Sequence, residues 1–361
     1  MARLIYLDHQ ATTPLAPEAR EAMMPWLAGP EAMGFANPHS AHRAGRAALA
    51  AVEVARAQVA ALLPPGGRLI FTSGATEAIN QAIMGTRSRK IAVSAIEHSA
   101  VLETARARAS VQVLPVDAEG MVHADVELAA DIDLVAVMQV NNEIGTIQPV
   151  ERLAERARAA GALFLCDAVQ GAGKLSPPQG ADLIAVSAHK LYGPKGIGAL
   201  WVRDGVEVQP LLHGGGQEGG LRSGTLSPAL CAGFGAAAAL ARARMEEDRL
   251  HLERLWHMAR AILHRWTLNG SAEARWPGNL NLRLDGLDVG RLMSEVRDVA
   301  FSAGSACGSG SGKPSHVLSA IGVCNKTAKN SVRLGFGRYT TPQEVEDACA
   351  RIEAAAAAQG V

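Results

Sequence analysis

The sequence contains few cysteines and no excess of either charge, and these two absences exclude several classes of function. Its 361 residues include five cysteines, which are scattered and form no C-x-x-C pair. Such spacing argues against a disulfide framework and against a zinc ribbon. Lys+Arg and Asp+Glu both number 35, so the formal net charge is zero. A chain without a basic excess shows no sign of nucleic-acid binding, and we expect none.

The chain also lacks a hydrophobic run long enough to span a membrane. The alanine-rich stretches "RAALAAVEVARAQVAALL" and "GFGAAAALARAR" are interrupted by arginine and predict buried or amphipathic helices. The first residues, "MARLIYLDHQATTP", do not show the charged and then apolar order of a signal peptide. We therefore expect a cytoplasmic protein that does not bind membranes.

The order of segments from about residue 44 to 240 predicts an α/β fold. Helical segments separate short apolar runs, among them "RLIFTS", "KIAVSA", "LVAVMQV", "ALFLCD" and "LIAVSA". Strands that alternate with helices form a mainly parallel sheet that is covered on both faces. The final run, "GALWV", follows a glycine-rich turn, which leaves an antiparallel orientation open for that strand.

A change in pattern after residue 250 predicts a second, smaller domain. A long helix over "ARARMEEDRLHLERLWHMARAILHRW" leads to short strands mixed with helices, as in "GNLNLRLDG" and "NSVRLGFGRYTT". We assign residues 14–250 to a large α/β domain. Residues 1–13 and 251–361 are assigned to a small α+β domain, so that ligands are expected in the cleft between them.

Polar residues stand directly after the predicted strands, where ligands bind in sheets of this kind. The sequence places there Ser73, Ala75, Thr76 and Glu77, then His98, then Asn141, Asn142 and Glu143, then Asp167 and Gln170, and finally Ser187, His189 and Lys190. Each has an ordinary structural alternative. Thr76 and Glu77 could belong to a helix cap, Asn142 could form a turn, and His98 or Asp167 could cap a helix.

Taken together, these residues match the needs of pyridoxal phosphate. Its phosphate binds a helix N-terminus, its pyridinium nitrogen needs a carboxylate, and its aldehyde needs a lysine. Of seven lysines, Lys190 best ends a buried strand beside the other groups. Lys195 is the rival, but it lies among glycines and a proline and is better suited to bracing that loop.

Two further patterns are rejected as sites. The stretch "QGAGKLS" lacks the first glycine and the Ser/Thr of a phosphate-binding loop, because Ala168 and Leu175 stand at those positions. His39 and His42 are three residues apart with no third ligand nearby, and we expect no metal site.

The motifs resemble those of the class I cysteine desulfurases of the NifS/IscS type, within the aminotransferase-like fold-type I pyridoxal phosphate enzymes. The similarity covers nearly the whole chain. It rests on "YLDHQATTP", "NPHSAHRAG", "FTSGATEAIN", "EHSAVL", "VNNEIGTIQP", "CDAVQGAGK", "SAHKLYGPKGIGAL", "HGGGQEGGLRSGT", "SAGSACGSG", "PSHVLSAIG" and "SVRLGFGRYTT".

The resemblance implies a role for each matching residue. Lys190 would form the Schiff base with pyridoxal phosphate, Asp167 would pair with the pyridinium, and His98 would stack on the ring and move protons. The other implied cofactor ligands are Gln170 and Asn142 at the phenolic oxygen, Ala75, Thr76, Ser187 and His189 at the phosphate, and Thr225 at the phosphate of a neighbouring subunit. A homodimer follows from the last of these. Asn142 and Arg333 would bind the substrate, Arg333 through its carboxylate.

Cys307 is the residue that separates this activity from others on the same fold. It lies in "FSAGSACGSGSGKPSH", which is too rich in glycine and serine to pack as a core. The resemblance implies that it receives sulfur, whereas a passive cysteine in a loop is the alternative. Lys313, which stands where relatives often carry an acidic residue, departs from the family pattern.

The implied activity is the removal of sulfur from L-cysteine, giving L-alanine and a persulfide on Cys307. The sulfur would pass to an iron–sulfur scaffold or another sulfur-acceptor protein. A selenocysteine lyase or an aminotransferase on the same fold remains an alternative. A non-catalytic sulfur-relay subunit is a weaker one, because it would have no use for Lys190, Asp167 and His98.

Overall fold

A computed structural model describes residues 4–27, 29–304 and 315–361. Its largest element is a sheet of seven strands in the order β2-β8-β7-β6-β5-β3-β4. These strands are β2 (Gly67–Thr72), β3 (Lys90–Ser94), β4 (Ser110–Leu114), β5 (Leu134–Ala136), β6 (Leu163–Asp167), β7 (Leu183–Ser187) and β8 (Gly198–Arg203). The predicted mainly parallel sheet is confirmed.

Only β8 among these strands opposes its neighbours, and it is antiparallel to both β7 and β2. The chain returns from Ser187 to Gly198 through a short loop, which is too short for the crossover that a parallel pair needs. The orientation left open in the sequence is therefore antiparallel.

Helices cover both faces of this sheet. They are α1 (Pro17–Met23), α2 (Arg43–Ala60), α3 (Ala75–Gly85), α4 (Ser99–Arg108), α5 (Val150–Ala159) and α6 (Pro228–Ile262), with short 3-10 turns at Met24–Trp26, Ala188–Lys190 and Glu218–Gly220. The strands are correspondingly apolar, and every residue of β7 is buried. This continuous apolar run is what a strand covered on both faces requires.

The remaining strands form two small sheets near the C-terminal part of the chain. The first has the order β12-β13-β10-β9, and β1 pairs with β11 in the second. These elements are β1 (Ile5–Tyr6), β9 (Thr267–Leu268), β10 (Asn279–Arg283), β11 (Val299–Ala300), β12 (Ser302–Ala303) and β13 (Ser331–Gly335), accompanied by α7 (Val289–Glu295), α8 (His316–Ala320), α9 (Asn325–Ala328) and α10 (Pro342–Ala357). The division of the chain into two domains stays a prediction.

The two alanine-rich and charged stretches around residue 240 form one helix, α6, of 35 residues. Its glycines permit close packing. A Cβ on Gly233 would lie 2.6 Å from Cγ of Met23, and one on Gly235 would lie 2.7 Å from Cα of Ala55. The helix is therefore held against α1 and α2 at these two positions. In the described part of the chain, no helix is both apolar and long enough to cross a membrane.

We predict that Phe234→Ala lowers the free energy of unfolding by about 3–5 kcal/mol, because it leaves a cavity under the sheet. Phe234 is 0% exposed, and its ring centroid lies 6.2 Å from that of Phe71. The measurement is urea unfolding of the purified variants. Phe35→Ala is the matched control, since Phe35 is 67% exposed and its loss should cost less than about 0.5 kcal/mol. Equal losses in the two variants would contradict this account of the core.

Candidate active site

A cavity of about 640 Å³ opens where the parallel strands end. Every cofactor residue predicted from the sequence lines it except Thr225, which is exposed elsewhere on the chain. The lining residues of that set are Ala75, Thr76, His98, Asn142, Asp167, Gln170, Ser187, His189 and Lys190. The structure thus brings these side chains together from five separate segments.

One wall of the cavity is the N-terminus of α3, where the first backbone N–H groups have no partner within the helix. The residue before α3 packs closely against β8, since a Cβ on Gly198 would lie 2.7 Å from the carbonyl carbon of Gly74. Ser187 and His189 complete this wall. Burial, followed by repulsion from nearby lysines, lowers the pKa of His189 to about 4, so its ring is neutral at pH 7. Such a wall suits a phosphate.

Glu77 lies in the first turn of α3, but its carboxylate does not compete with a phosphate for the N-terminus of that helix. Its carboxylate accepts a hydrogen bond from the Ser73 N–H at 2.7 Å and pairs with Arg222 at 2.7 Å. Burial opposes ionisation of Glu77, yet these two partners outweigh it and lower the pKa of the carboxyl. Its charge is therefore neutralised within the protein.

Lys190 ends the short 3-10 turn that follows β7, and its side chain reaches the cavity. Nζ donates hydrogen bonds to the backbone carbonyls of Gln10 and Ala11, the latter at 2.8 Å. The N-terminal segment thus holds the amine at the edge of the cavity. Lys195 also lines the cavity, so the structure does not by itself remove it as a rival.

Asp167 is the last residue of β6, and its side chain is only 6% exposed. Its Oδ1 accepts a hydrogen bond from the Val169 N–H at 3.0 Å. Burial raises the pKa of Asp167, and the charges of His98 and Lys190 work in the opposite direction. A carboxyl buried in this way is stabilised as a carboxylate when a cation binds beside it.

A second buried carboxyl, Glu97, lies close to Asp167 and was missed in the sequence. Its Oε1 accepts hydrogen bonds from the Ser94 hydroxyl at 2.6 Å and the Met138 N–H at 2.8 Å. Its Oε2 is buried and has no hydrogen-bond partner in the described part of the chain. Burial, reinforced by the charge of Asp167, raises the pKa of Glu97 to about 8. Glu97 is therefore neutral at pH 7.

His98 caps α4, and this contact determines where its ring carries a proton. Nδ1 accepts a hydrogen bond from the Ala100 N–H at 3.1 Å. The neutral ring must then be protonated on Nε2. Nε2 is thus the hydrogen-bond donor of the ring, and Nδ1, which caps the helix, is its acceptor.

Gln170 and Asn142 also line the cavity. The amide nitrogen of Gln170 donates to the Gln10 carbonyl at 2.9 Å, and its oxygen accepts from Lys174 at 3.2 Å. The Asn142 carbonyl accepts a hydrogen bond from Nη1 of Arg333 at 3.1 Å. The side-chain amide of Gln170 is therefore held in place, whereas Arg333 holds the backbone of Asn142.

Arg333 lies behind Asn142 and is not among the residues that line the cavity. Its Nη2 pairs with Asp8 at 2.9 Å and donates to the Ser302 hydroxyl at 3.2 Å. Asp8, contributed by the N-terminal segment, was not singled out in the sequence. The role of Arg333 toward a substrate carboxylate stays a prediction.

Two residues of the sequence analysis, Cys307 and Lys313, lie outside the described residues. The chain on either side is well anchored. Gly304 donates its N–H to the Ser331 carbonyl at 2.7 Å, and the Ser315 hydroxyl donates to the Glu143 carboxylate.

The rejected histidine pair has a structural use. His42 caps α2, because its Nδ1 accepts from the Gly45 N–H at 3.2 Å. Across residues 4–27, 29–304 and 315–361, no three His, Cys, Asp or Glu side chains are grouped so that they could hold a metal ion.

Comparison with known proteins assigns the chain to a family. The model of the family "Aminotransferase class-V" matches residues 5–347. The chain belongs to this family. Its relatives include cysteine desulfurase IscS of Rickettsia akari, which is 41% identical over 377 residues, or 97% of this chain and 91% of that protein. The mitochondrial cysteine desulfurase of Saccharomyces cerevisiae is 41% identical over 367 residues, covering 95% of this chain and 73% of that protein.

Solved structures give the same result. A NifS-like protein superposes with a TM-score of 0.89 at 32% identity, covering 97% of this chain and 98% of that one. A structure titled "SspA in complex with cysteine" has a TM-score of 0.82 at 34% identity and covers 93% and 99% of the two chains. The predicted resemblance and the aminotransferase-like fold are confirmed. Class-V aminotransferases and cysteine desulfurases use pyridoxal phosphate, and this chain is a pyridoxal phosphate-dependent enzyme.

The residues present fit this cofactor. A helix N-terminus suits its phosphate, the buried Asp167 carboxylate suits a cationic ring nitrogen, and Lys190 supplies an amine at the cavity edge. The neutrality of Glu97 matters here, because a second buried charge would compete for the same cation.

We predict that Glu97→Gln changes how stability depends on pH. The folded state binds a proton at Glu97 that the unfolded chain releases above its usual pKa of 4.5. The stabilisation from Glu97 is thus complete below about pH 4.5 and is lost as the pH rises through about 8. Urea unfolding of the cofactor-free protein should show that the free energy of unfolding decreases from pH 5 to pH 8. The decrease should be smaller in Glu97→Gln than in the unmodified protein, by an amount on the order of 2 kcal/mol.

Glu346→Gln, at an exposed position, is the matched control and should follow the unmodified protein. Parallel pH profiles for the protein and Glu97→Gln would show that Glu97 is ionised when folded.

Proposed function

We propose that this protein is a cysteine desulfurase, which takes the sulfur of L-cysteine and releases L-alanine. The observation that supports this most is the meeting of Lys190, Asp167 and His98 in one cavity beside a helix N-terminus. The chain's family membership and its cysteine desulfurase relatives give this site its chemistry. When bound, pyridoxal phosphate withdraws electrons from the α-carbon of an amino acid.

The protein's own residues would bind and orient that cofactor. Lys190 would hold the aldehyde carbon, and Asp167 would keep a proton on the ring nitrogen. The α3 N-terminus, with Ser187 and His189, would bind the phosphate. Gln170 would donate its amide nitrogen to the phenolic oxygen. As a free amine, Lys190 would be the base that removes the substrate's α-proton.

Arg333 and Asn142 would bind the substrate carboxylate. The guanidinium of Arg333 is already oriented by Asp8 and Ser302, and Nη1 contacts the Asn142 backbone. A substrate carboxylate would join or replace Asp8 as its partner. Charge-assisted hydrogen bonds are stronger than those between neutral groups. This contact would therefore give the site its preference for an α-amino acid.

Cys307 would receive the sulfur as a thiolate. A bond forms between its sulfur and that of the substrate as the substrate's carbon–sulfur bond breaks. The electron pair of the broken bond stays with the carbon, which takes up a proton and leaves as alanine. The products are L-alanine and a persulfide on Cys307, so no external oxidant or reductant is needed. The Nε2–H of His98 would be a hydrogen-bond donor in the cavity.

We assign the protein to the cytoplasm and to a homodimer in which Thr225 reaches the phosphate of the other subunit. Thr225 is exposed in the single chain, as a residue serving a partner must be. The four cysteines in the described part are all free thiols, which suits a reducing compartment. The persulfide would serve an iron–sulfur scaffold or another sulfur-acceptor protein.

We predict that Cys307→Ala abolishes sulfide release from L-cysteine in the presence of a thiol reductant, by at least about 100-fold. The variant should still bind the cofactor and show its visible absorption. The measurement is sulfide and alanine formed per enzyme after reconstitution with pyridoxal phosphate.

Cys324→Ala is the matched control, because Cys324 is an exposed free cysteine in the described part of the chain. It should keep full activity. Undiminished sulfide and alanine from Cys307→Ala would exclude the persulfide route and would favour another reaction on this fold.

A further inference from the structure

Lys174 is a charged residue close to the site that the reaction described above does not use. It lies in the turn after β6, four residues beyond Gln170, and its Nζ donates to Oε1 of Gln170 at 3.2 Å. The same ammonium lies 5.9 Å from the centroid of the Trp276 ring. Lys174 does not line the large cavity and therefore cannot touch a molecule bound there.

The contact with Lys174 determines how the amide of Gln170 is turned. An ammonium has only donors, so the atom that faces it must be the amide oxygen. The amide nitrogen then faces the other way and donates to the Gln10 carbonyl at 2.9 Å. That nitrogen has a second hydrogen, and Gln170 lines the large cavity. The Gln10 carbonyl, which can only accept, favours the same orientation, so Lys174 and Gln10 hold the amide from its two sides.

A cation on the amide oxygen also strengthens the amide nitrogen as a donor. Hydrogen bonds in a chain polarise one another, and the effect is larger where water is excluded. Gln170 is 4% exposed. The same Gln10 carbonyl also accepts from Lys190, so Lys174, Gln170, Gln10 and Lys190 form one continuous chain of hydrogen bonds.

We propose that Lys174 is a positioning residue, which fixes and polarises the Gln170 amide so that its nitrogen donates to the phenolic oxygen of the cofactor. The inference rests on the proposed cofactor site and adds to it a residue outside the cavity. It assigns Lys174 to the binding and protonation of the cofactor and not to contact with cysteine.

The charge of Lys174 is sensitive to pH near neutrality. Burial, followed by repulsion from Lys190, lowers the pKa of Lys174 to about 7. The other charged or titratable groups around it are His9, Tyr192 and the ion pair of Asp248 with Arg338, which share with it a small cavity of about 20 Å³.

Neither of the two titratable rings changes charge near pH 7. Burial lowers the pKa of His9 to about 4, and burial raises the pKa of Tyr192 far above neutrality. The Asp248 carboxylate is neutralised by Arg338 at 2.7 Å. Lys174 is thus the group in this cavity expected to titrate between pH 6 and 8.

The test is a double-mutant cycle on cofactor retention. The measured quantity is the dissociation constant of pyridoxal phosphate, together with the pH midpoint of its visible absorption. Lys174→Met should weaken retention about tenfold and shift the midpoint. In a Gln170→Ala background the same change should have almost no further effect, because the residue through which Lys174 acts is gone.

Two variants complete the design. Lys174→Arg keeps a cation and a donor and should restore most of the retention. Lys329→Met removes an exposed lysine and should match the unmodified protein. Equal losses from Lys174→Met in the presence and absence of the Gln170 side chain would overturn the proposal, as would a Lys174→Arg protein as weak as Lys174→Met.

A measurement on the unmodified cofactor-free protein covers the case in which Lys174→Met does not fold. The NMR signals of the Gln170 side-chain amide should move with pH with a midpoint near 7, and Lys174→Arg should abolish that movement. Gln170 side-chain signals that are the same in the unmodified protein and in Lys174→Arg at every pH would show that Lys174 does not act on this amide and would overturn the proposal. An unmodified protein that takes up no cofactor would instead refute the proposed function.

Discussion

A carboxylate buried at the end of β6 is the constraint around which the rest of the site is arranged. Asp167 is 6% exposed and receives one backbone hydrogen bond, so its charge is costly unless a cation lies beside it. Lys190 supplies part of that compensation. A protonated pyridine ring would supply the rest, and the free energy gained would favour the electron-withdrawing form of the cofactor.

The neighbouring carboxyl groups add no second net negative charge beside Asp167. Glu97 is close by, yet it is neutral at pH 7 because it is buried, and two hydrogen bonds hold its Oε1. Glu77 is neutralised by Arg222. The cavity therefore combines a buried carboxyl, Asp167, with an anion-binding helix terminus at the start of α3. This polarity matches a cofactor with a cationic ring nitrogen and an anionic phosphate.

The sequence predicted the sheet, the strand ends and the residues that line the cavity because these are local properties. A run such as "LIAVSAHK" contains both the apolar strand and the polar residues that follow it. The orientation of β8 was left open, since strand pairing depends on the loop that joins two strands. The two stretches that form α6 also could not be joined from the sequence, because their glycines are explained only by the contacts they make with α1 and α2.

Glu97, Lys174 and Asp8 were missed for a different reason. Each acts through a neighbour that is distant in sequence or visible only in three dimensions, as when Asp8 pairs with Arg333, 325 residues away. A glutamate at a strand end and a lysine in a turn are ordinarily solvated surface residues. Only the packed structure shows that these two charges are removed from water. The protonation of His98 is likewise set by a hydrogen bond that no sequence pattern reveals.

The most direct test of this account is the protonation of the cofactor's ring nitrogen in the reconstituted protein. With ¹⁵N-labelled pyridoxal phosphate, the ring nitrogen should resonate as a protonated pyridinium at pH 7.5, and it should lose that proton in Asp167→Asn. Asp182→Asn removes another buried carboxylate, one that pairs with Arg203, and should leave the signal unchanged. An unprotonated ring nitrogen in the unmodified protein, or a protonated one in Asp167→Asn, would contradict the account.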